Sequence, residues 1–446
     1  MSYNARKIAV EILNSIDESK SFSNIEIKKR VKRVKDIRDE NLIRELVYGV
    51  LENKLYIDNI IKNYSNTNYK KINNIILQIL RIGIYQICFV DNIPDRAACN
   101  ESVNLTKIFN KKRLSGYVNG ILRNVVRNKD KDFLPDKNNN IIDYFSIKYS
   151  HPKWIVEKFI NDFGEDFTER LLKSNNEKPS LNIRVNKIKI NRNNLIEVLS
   201  KHGISAEKTK YAQDGLIINN PRNITELTEF KEGYFSIQDE SSMLVAQIMN
   251  PEEGSTVLDI CSGPGGKATH IAEKMKNKGK IISRDIFNHK LDLINKNATR
   301  LDIDIIDTEN FDGLKLDNKM KEKVDYCLVD APCSGLGLLR RKPDIRWNKD
   351  IKDLNILVEM QLEILKNASQ YVKVQGILIY STCTINKKEN LNIINKFLLM
   401  NNNYSLEEIK NVEMKSNETL KKGYIELFPN IHGTDGFFIA KLKRNI

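Results

Sequence analysis

The chain has 446 residues, which is enough for roughly two to four domains and excludes a peptide or a single small module. Hydrophobic residues make up 41% and charged residues 29%, a globular balance that excludes an intrinsically disordered chain. The formal net charge is +14, and residues 1–150, with 27 basic and 17 acidic side chains, contribute +10 of it. Such clustering favours an anionic partner such as nucleic acid, because each neutralised phosphate releases a counterion; a solvated surface is the alternative.

The first third of the chain is predicted to be helical. Near the N-terminus, apolar residues recur at helical spacing, which is typical of a core-facing helix and not of a signal peptide; they are Ala5, Ile8, Ala9, Ile12, Leu13 and Ile16. Further apolar stripes over 72–87 and 118–126 indicate more core helices. No apolar stretch is long enough for a membrane span, and the dispersed cysteines lack the spacing of a zinc site or a disulfide framework. We therefore expect a cytoplasmic protein with reduced thiols and no metal.

A polar stretch, KDKDFLPDKNNN, predicts the first domain boundary. Residues 1–135 form the helical domain, and 136–180 form a linker with a helical connection. Residues 181–250 read as strand, helix, strand, strand, helix and strand, the order of ferredoxin-like and RNA-recognition folds, with the second strand at KTKYA. From 251 to 446 strands and helices alternate, which predicts a doubly wound, mostly parallel sheet of the α/β class.

A glycine-rich turn over 261–267 follows the first strand of this alternation, in the run TVLDICSGPGGKATHIA. An anionic or zwitterionic ligand is expected there, against the N-terminus of the next helix. A P-loop would need a glycine at Cys261 and Ser or Thr at Ala268, and the dinucleotide fingerprint also fails. Asp285 ends the next strand, where a carboxylate can accept hydrogen bonds from ribose hydroxyls. Together these features predict a nucleotide-like ligand; a merely tight strand-helix connection is the alternative.

Two cysteines lie in polar loops that each follow a predicted buried strand, Cys333 in VDAPCSGLG and Cys383 in IYSTCTIN. Because the carboxyl ends of parallel strands meet at one edge of a sheet, both loops should lie beside the glycine-rich turn. Cysteines in such loops are candidates for reactive thiols. Three others are predicted to be small buried residues: Cys88, Cys99 and Cys327.

The motifs CSGPGGK, DAPCSG and STCT, together with Asp285, resemble those of the Sun family of S-adenosylmethionine-dependent RNA cytosine-5 methyltransferases. Further matches are SLNIRVN, FSIQDESS and RRKPDIRW. In the helical region, LRIGIYQI, IPDRAACNESVNLTK and GYVNGILRN resemble the NusB-like RNA-binding domain that one branch of the family carries. The resemblance spans nearly the whole chain. It implies a NusB-like all-α domain, an α+β RNA-recognition-like domain and a Rossmann-like class I methyltransferase domain.

The resemblance implies that S-adenosylmethionine is the cofactor. The residues expected to bind it are Cys261, Ser262, Gly263, Pro264, Gly265, Gly266, Lys267, Asp285, Asp312 and Asp330. For the third cofactor acid the run ENFDG offers Glu309 or Asp312, and Asp312 is chosen because it matches the Asp-Gly of the family. Lys267 is expected to hold the loop and the carboxylate of the cofactor rather than to act as a base.

The resemblance also assigns the catalytic residues. Cytosine C5 is a poor nucleophile, so a thiolate must first add to C6, and this role falls to Cys383. Asp330 is suited to stabilise the N3 side of the ring, and Cys333 is expected to assist release once the C5 proton leaves. The target base must leave any stack, because a thiol cannot reach a paired ring.

The implied substrate is 16S ribosomal RNA or a small-subunit assembly intermediate, with no membrane and no obligate protein partner. Two alternatives stay open. One is a tRNA cytosine-5 methyltransferase. The other is a non-catalytic RNA-binding ribosome-assembly factor, against which the intact Cys383, Cys333 and Asp330 argue.

Overall fold

The computed structural model of the protein describes residues 4–19, 21–32, 34–220, 223–414 and 418–446. They divide into two compact units. The first unit contains the described residues up to Glu177 together with Leu339–Lys349, and the second contains Lys178–Leu338 and Asp350–Ile446. The first unit therefore includes a short segment that lies, in sequence, within the second.

The first unit is helical, as the apolar stripes predict. Its helices are α1 (Ala5–Ser19), α2 (Ser23–Val31), α3 (Ile37–Glu52), α4 (Lys54–Tyr64), α5 (Asn74–Phe89), α6 (Asp95–Ile108), α7 (Ser115–Arg127), α8 (Ile141–Lys148), α9 (Lys153–Phe163) and α10 (Glu165–Ser174). Ala9 and Ile12 of α1 are fully buried in one core with Ile79 and Leu80 of α5. Helices α8 to α10 fill the stretch that the sequence treats as a linker, and they belong to this unit. Among the helices that the structure describes, none combines the length and the apolar composition needed to cross a bilayer.

The second unit begins with an antiparallel sheet. Its elements are β1 (Leu181–Val185), α11 (Arg192–Lys201), β2 (Ser205–Lys208), β3 (Gly215–Asn219), α12 (Thr228–Lys231), β4 (Phe235–Ile237) and α13 (Glu240–Met249). The strand order is β2-β3-β1-β4. The predicted order of elements is confirmed, but placing the second strand at KTKYA is wrong. Thr209 Oγ1 donates to the Ala212 carbonyl at 2.7 Å and closes a turn there, so the strand is the preceding Ser205–Lys208.

The rest of the second unit is the predicted doubly wound domain. Its strands are β5 (Thr256–Asp259), β6 (Lys280–Asp285), β7 (Ile306–Asn310), β8 (Val324–Asp330), β9 (Val372–Thr382), β10 (Tyr404–Leu406), β11 (Tyr424–Leu427) and β12 (Phe437–Arg444). The helices, of which α16 lies in the first unit, are α14 (Gly266–Lys274), α15 (Asn288–Arg300), α16 (Ile345–Asn348), α17 (Ile351–Ser369), α18 (Leu391–Met400), α19 (Glu418–Lys421) and α20 (Pro429–His432).

The strand order of the large sheet locates a ligand site. Among the described residues the order is β10-β12-β9-β8-β5-β6-β7, with β11 paired to β12. Strands β5 to β9 are parallel, which confirms the prediction, and β10 to β12 are antiparallel. The strand order reverses between β5 and β8. In open α/β sheets ligands bind outside the carboxyl ends of the strands at this point.

The segment Leu339–Lys349 is fixed within the first unit by buried polar contacts. Arg346 of α16 is fully buried. Its guanidinium donates to the carbonyl oxygens of Glu52 (3.2 Å), Ser150 (3.2 Å) and Asn175 (3.0 Å) and to Asn176 Oδ1 (2.7 Å). Next to it, Trp347 Nε1 donates to the Leu51 carbonyl at 3.0 Å. The motif RRKPDIRW thus supplies an internal part of the helical unit.

Candidate active site

A cavity of about 400 Å³ lies at the carboxyl ends of β5, β6 and β8. Its polar lining comes from the ends of these strands, from the loops that follow β5, β7, β8 and β9, and from α15; the residues are Cys261, Gly263, Asp285, Lys290, Asp312, Asp330, Cys333 and Cys383. Its apolar walls include Ile260, Phe287, Phe311, Leu314 and Met360. The volume is in the range of small-molecule sites. The other predicted loop residues, Ser262, Pro264, Gly265, Gly266 and Lys267, build the turn beside the cavity rather than line it.

Asp285 is tied directly to the glycine-rich turn. The Gly263 N–H donates to Oδ2 at 3.2 Å, and the Phe287 N–H donates to Oδ1 at 3.0 Å. A Cβ atom on Gly263 would lie 2.7 Å from Asp285 Oδ2, so the glycine permits this close approach. Lys290 Nζ also donates to Oδ2, at 3.2 Å. Sequence reasoning missed Lys290, because one lysine at the start of a helix forms no motif.

The four-stranded antiparallel sheet, here called the small sheet, supplies a side chain that contacts the glycine-rich turn. Gly265 has φ +95°, a left-handed conformation that favours glycine, and α14 begins at the next residue. Arg184 of β1 is fully buried and donates to the Gly266 carbonyl at 2.6 Å. The same guanidinium pairs with Glu273 of α14 at 2.7 Å. The strand SLNIRVN therefore supports the loop on which the ligand site depends.

The structure separates the two candidates for the third cofactor acid. Asp312 lines the cavity and accepts a hydrogen bond from the Leu314 N–H at 3.0 Å. Glu309 instead forms an ion pair with Arg284 at 2.8 Å and is not part of the lining. Asp312 is therefore the acid that a ligand in the cavity can contact.

Asp330 is held between a cation and a hydroxyl. Lys267 Nζ lies 2.7 Å from Oδ2, and Ser381 Oγ donates to Oδ1 at 2.8 Å. Burial opposes the charge on Lys267, but Asp330 outweighs it and raises the pKa of the ammonium group. This contact favours the protonated form of Lys267. Its partner in the structure is Asp330, and the expected contact with the carboxylate of the cofactor stays a prediction.

The two loop cysteines meet at the cavity, with their Sγ atoms 3.2 Å apart. The hydrogen bond to Cys383 and burial together raise the pKa of Cys333 well above its ordinary value. Cys333 thus keeps its proton and can donate it to the neighbouring sulfur. Because thiolates rather than thiols attack, a protonated Cys333 is a poor nucleophile.

Asp259, at the end of β5, is a buried carboxyl group that sequence reasoning missed. Both of its oxygens are buried, and the buried hydroxyl of Ser262 lies beside them. Burial is the main cause that raises the pKa of Asp259 to about 7, and Asp330 adds to the effect. The group is thus protonated over much of the acidic range and becomes charged near neutrality.

Replacing this carboxyl group should make stability less dependent on pH. In the unfolded chain Asp259 ionises near its ordinary pKa, so the folded protein loses stability as pH rises from about 4 to about 7. Asp259→Asn removes this loss, which by the pKa difference is on the order of 4 kcal/mol at most. We expect the variant to gain in melting temperature over the wild type at about pH 8 and to gain clearly less at about pH 5. Equal changes at both pH values would contradict the assignment.

Comparison with known protein families divides the chain into three parts. Residues 3–127 match the NusB family, and residues 151–225 match the ferredoxin-like domain of RsmF/B-like methyltransferases. Residues 246–443 match the family described as 16S rRNA methyltransferase RsmB/F.

Similar proteins cover the chain from end to end. The probable ribosomal RNA small subunit methyltransferase B of Bacillus subtilis (strain 168) is 37% identical, over 98% of both chains. Its counterpart in Synechocystis sp. is 34% identical, over 99% of both chains. The crystal structure of PH0851 covers all of both chains, with a TM-score of 0.82 and 26% identity. The crystal structure of NSun6 from Pyrococcus horikoshii contains SFG, an analogue of S-adenosylmethionine. The match to it covers 66% of this chain and 98% of that chain, with a TM-score of 0.60 and 25% identity. With full-length relatives at this level of identity, the chain belongs to the ribosomal RNA small subunit methyltransferase B family.

Proposed function

We propose that this protein methylates C5 of a cytosine in 16S ribosomal RNA, with S-adenosylmethionine as methyl donor and a covalent bond between Cys383 and C6 of the base. The observation that carries the proposal is the pair of thiols 3.2 Å apart at a cavity that Asp285 and Asp330 also line. Similarity to small-subunit rRNA methyltransferases along the full chain supports the substrate class.

The lining of the cavity suits S-adenosylmethionine. Its apolar walls, among them Phe287 and Leu314, would enclose a purine, and Asp285 would accept hydrogen bonds from ribose hydroxyls. Gly263, which also lines the cavity, lets the turn approach Asp285 more closely than a residue with a side chain could. The cavity also holds Asp312 and Asp330, and carboxylates favour a cationic ligand. When bound, S-adenosylmethionine supplies an electrophilic methyl group on a positively charged sulfur.

The chain supplies the groups that activate the base. The Cys383 thiolate adds to C6, which places an electron pair on C5 and makes that carbon nucleophilic. As the adduct forms, N3 takes a proton from water, and Asp330 accepts hydrogen bonds from the N3–H and N4–H edge of the ring; the Lys267 ammonium group donates a hydrogen bond to Oδ2. The adduct is thereby stabilised from the polar edge of the base.

Release needs a second group near the adduct. After C5 has gained its methyl group it must lose its proton, and the returning electron pair expels the Cys383 thiolate. Cys333 lies 3.2 Å from the sulfur that would carry the base; once it has given its own proton to water, its thiolate can take the proton from C5. Attack and release are therefore assigned to different thiols.

Loss of the carboxylate at Asp285 should weaken cofactor binding. Asp285→Ala removes the acceptor for ribose hydroxyls and for the Gly263 N–H, so we expect affinity for S-adenosylhomocysteine to fall by roughly ten- to a hundredfold. Isothermal titration calorimetry measures the loss. Glu309→Ala is the matched control, because Glu309 pairs with Arg284 outside the cavity and should leave affinity unchanged. A loss in the control alone would make Glu309 the third acid.

The first unit is expected to contribute affinity for RNA through exposed basic side chains. Lys112 and Arg113 are exposed at a short 3-10 helix between α6 and α7. Changing both to Gln should weaken RNA binding and lower the slope of log affinity against log salt by roughly 0.7 to 0.9 for each phosphate that is no longer neutralised. Deleting residues 1–150 is a poorer test, because it removes two of the four acceptors of Arg346, the carbonyl oxygens of Glu52 and Ser150. An unchanged slope would place the RNA-binding surface elsewhere.

The decisive experiment is methyl transfer from labelled S-adenosylmethionine to naked 16S RNA, to small subunits and to tRNA. Bisulfite mapping of cellular RNA, with and without the protein, then locates the modified base. We expect one cytosine in 16S RNA to depend on the protein. Modification of tRNA alone would show a tRNA enzyme, and no modification in either RNA would leave only a binding factor.

A further inference from the structure

Glu389 is a buried carboxyl group that the proposed chemistry does not use. Its side chain is inaccessible to solvent, although it follows Cys383 closely in the sequence. Burying a charge is costly unless hydrogen bonds replace the lost water. The partners of Glu389 therefore indicate what the group is for.

Neutral donors surround both oxygens of Glu389. Oε1 accepts from Ser334 Oγ at 2.6 Å and from Asn386 Nδ2 at 2.8 Å. Oε2 accepts from the Ser334 N–H at 2.8 Å and from Gln361 Nε2 at 2.9 Å. The Gln361 amide also donates to the Pro332 carbonyl, at 2.9 Å. Hydrogen bonds to a carboxylate are stronger than those between neutral groups, so this cluster is stiff.

Two of the three donor residues, Ser334 and Asn386, belong to the loops that carry the cysteines, and the third, Gln361, belongs to α17. Ser334 follows Cys333 directly, and its hydroxyl lies 2.8 Å from that of Thr384, which follows Cys383. Both faces of Glu389 are thus connected to residues adjacent to the thiols. The connection is made on the buried side of the loops, away from the lining of the cavity.

We infer that Glu389 is a positioning residue that holds the loops of Cys333 and Cys383 at the separation that attack and release require. The effect of Glu389 on catalysis rests on the proposed function, but its effect on the separation of the two thiols can be tested without it. Reacting groups lose efficiency steeply when they are displaced, so a loosened pair of loops should react slowly even with both thiols present.

The first test measures how readily the two thiols meet in the full-length protein. Diamide takes up two hydrogens while two thiols become a disulfide, and peptide mapping identifies the Cys333–Cys383 link. Glu389→Gln places an N–H₂ group where the loops offer only donors, so the loops should be held less firmly. We expect the rate of Cys333–Cys383 disulfide formation, called closure below, to fall by roughly tenfold or more. The matched control is Glu240→Gln, since Glu240 is a buried carboxylate that accepts from the Tyr211 and Ala212 N–H groups. The control should close at the wild-type rate.

The second test separates positioning from binding. In Glu389→Gln we expect kcat for methylation to fall by roughly tenfold or more, while affinity for S-adenosylhomocysteine stays within about twofold. Glu389→Asp retains the carboxylate and should recover part of both the closure rate and kcat. If Glu389→Gln does not fold, Ser334→Ala tests the positioning role instead, because it removes one donor and leaves the carboxylate in place. This variant should slow closure, but less than Glu389→Gln would.

The outcomes distinguish the two claims. Closure at the wild-type rate in Glu389→Gln, or equal slowing in Glu240→Gln, would overturn the positioning role. Slow closure in Glu389→Gln, together with a wild-type protein that methylates no RNA, would leave the positioning role standing and remove the proposed function.

Discussion

Replacing Cys383 by alanine should abolish both methyl transfer and any covalent complex between the protein and RNA. Without the thiolate no adduct forms at C6, and C5 stays too weak a nucleophile to take the methyl group. Replacing Cys333 by alanine should have a different effect, because attack and transfer do not need the second thiol. That variant should stall after transfer, with methylated RNA attached to Cys383.

A denaturing gel with labelled RNA and S-adenosylmethionine measures this difference directly. Cys327→Ala is a suitable control, since Cys327 is fully buried within β8 and is not part of the cavity lining. Accumulation of the adduct in Cys383→Ala would reverse the two roles. Full turnover in both variants would remove the thiol mechanism altogether.

Replacing Arg346 by methionine should strongly destabilise the helical unit. The change leaves several buried carbonyl oxygens without a donor, among them those of Glu52, Ser150 and Asn175. Burial lowers the pKa of Arg346 to about 10, so the guanidinium still carries its charge at neutral pH. We expect a loss of about 3 kcal/mol or more, because each unsatisfied buried acceptor costs about 1 to 3 kcal/mol.

Differential scanning calorimetry should show this loss as a melting transition roughly 10 °C lower, on the scale of a unit of this size. Arg127→Met is the control, since Arg127 is exposed at the end of α7 and its loss should be nearly neutral. Affinity for S-adenosylhomocysteine should not change, because Asp285 and its neighbours lie in the second unit. An unchanged transition in Arg346→Met would show that the hydrogen bonds of the guanidinium contribute little.

Much of the fold could be predicted because its determinants are local. The spacing of Ala9 and Ile12 in α1 records which face is buried, and the alternation of strands and helices after 251 requires parallel pairing. The second strand of the small sheet was misplaced because a single side-chain hydrogen bond, from Thr209, converts a β-like stretch into a turn. The position of Leu339–Lys349 could not be predicted, since the acceptors of Arg346 are distant in sequence.

The candidate site divides in the same way. Asp285 ends a parallel strand, and Cys333 and Cys383 each lie shortly after one, so topology alone predicts that the three lie near one another. The ion pair of Lys267 with Asp330 and the burial of Glu389 depend on side-chain packing across several loops. Such contacts leave no periodic signal in the sequence.

The course of the chain through Leu339–Lys349 also limits how this protein can be divided. A gene fragment that ends at Glu177 would encode the helical unit without the arginine and tryptophan that complete its interior. We therefore expect that simple truncation at Glu177 does not yield a stable helical domain. Autonomous expression of that fragment should require the missing stretch, supplied as a separate peptide or appended by a flexible linker.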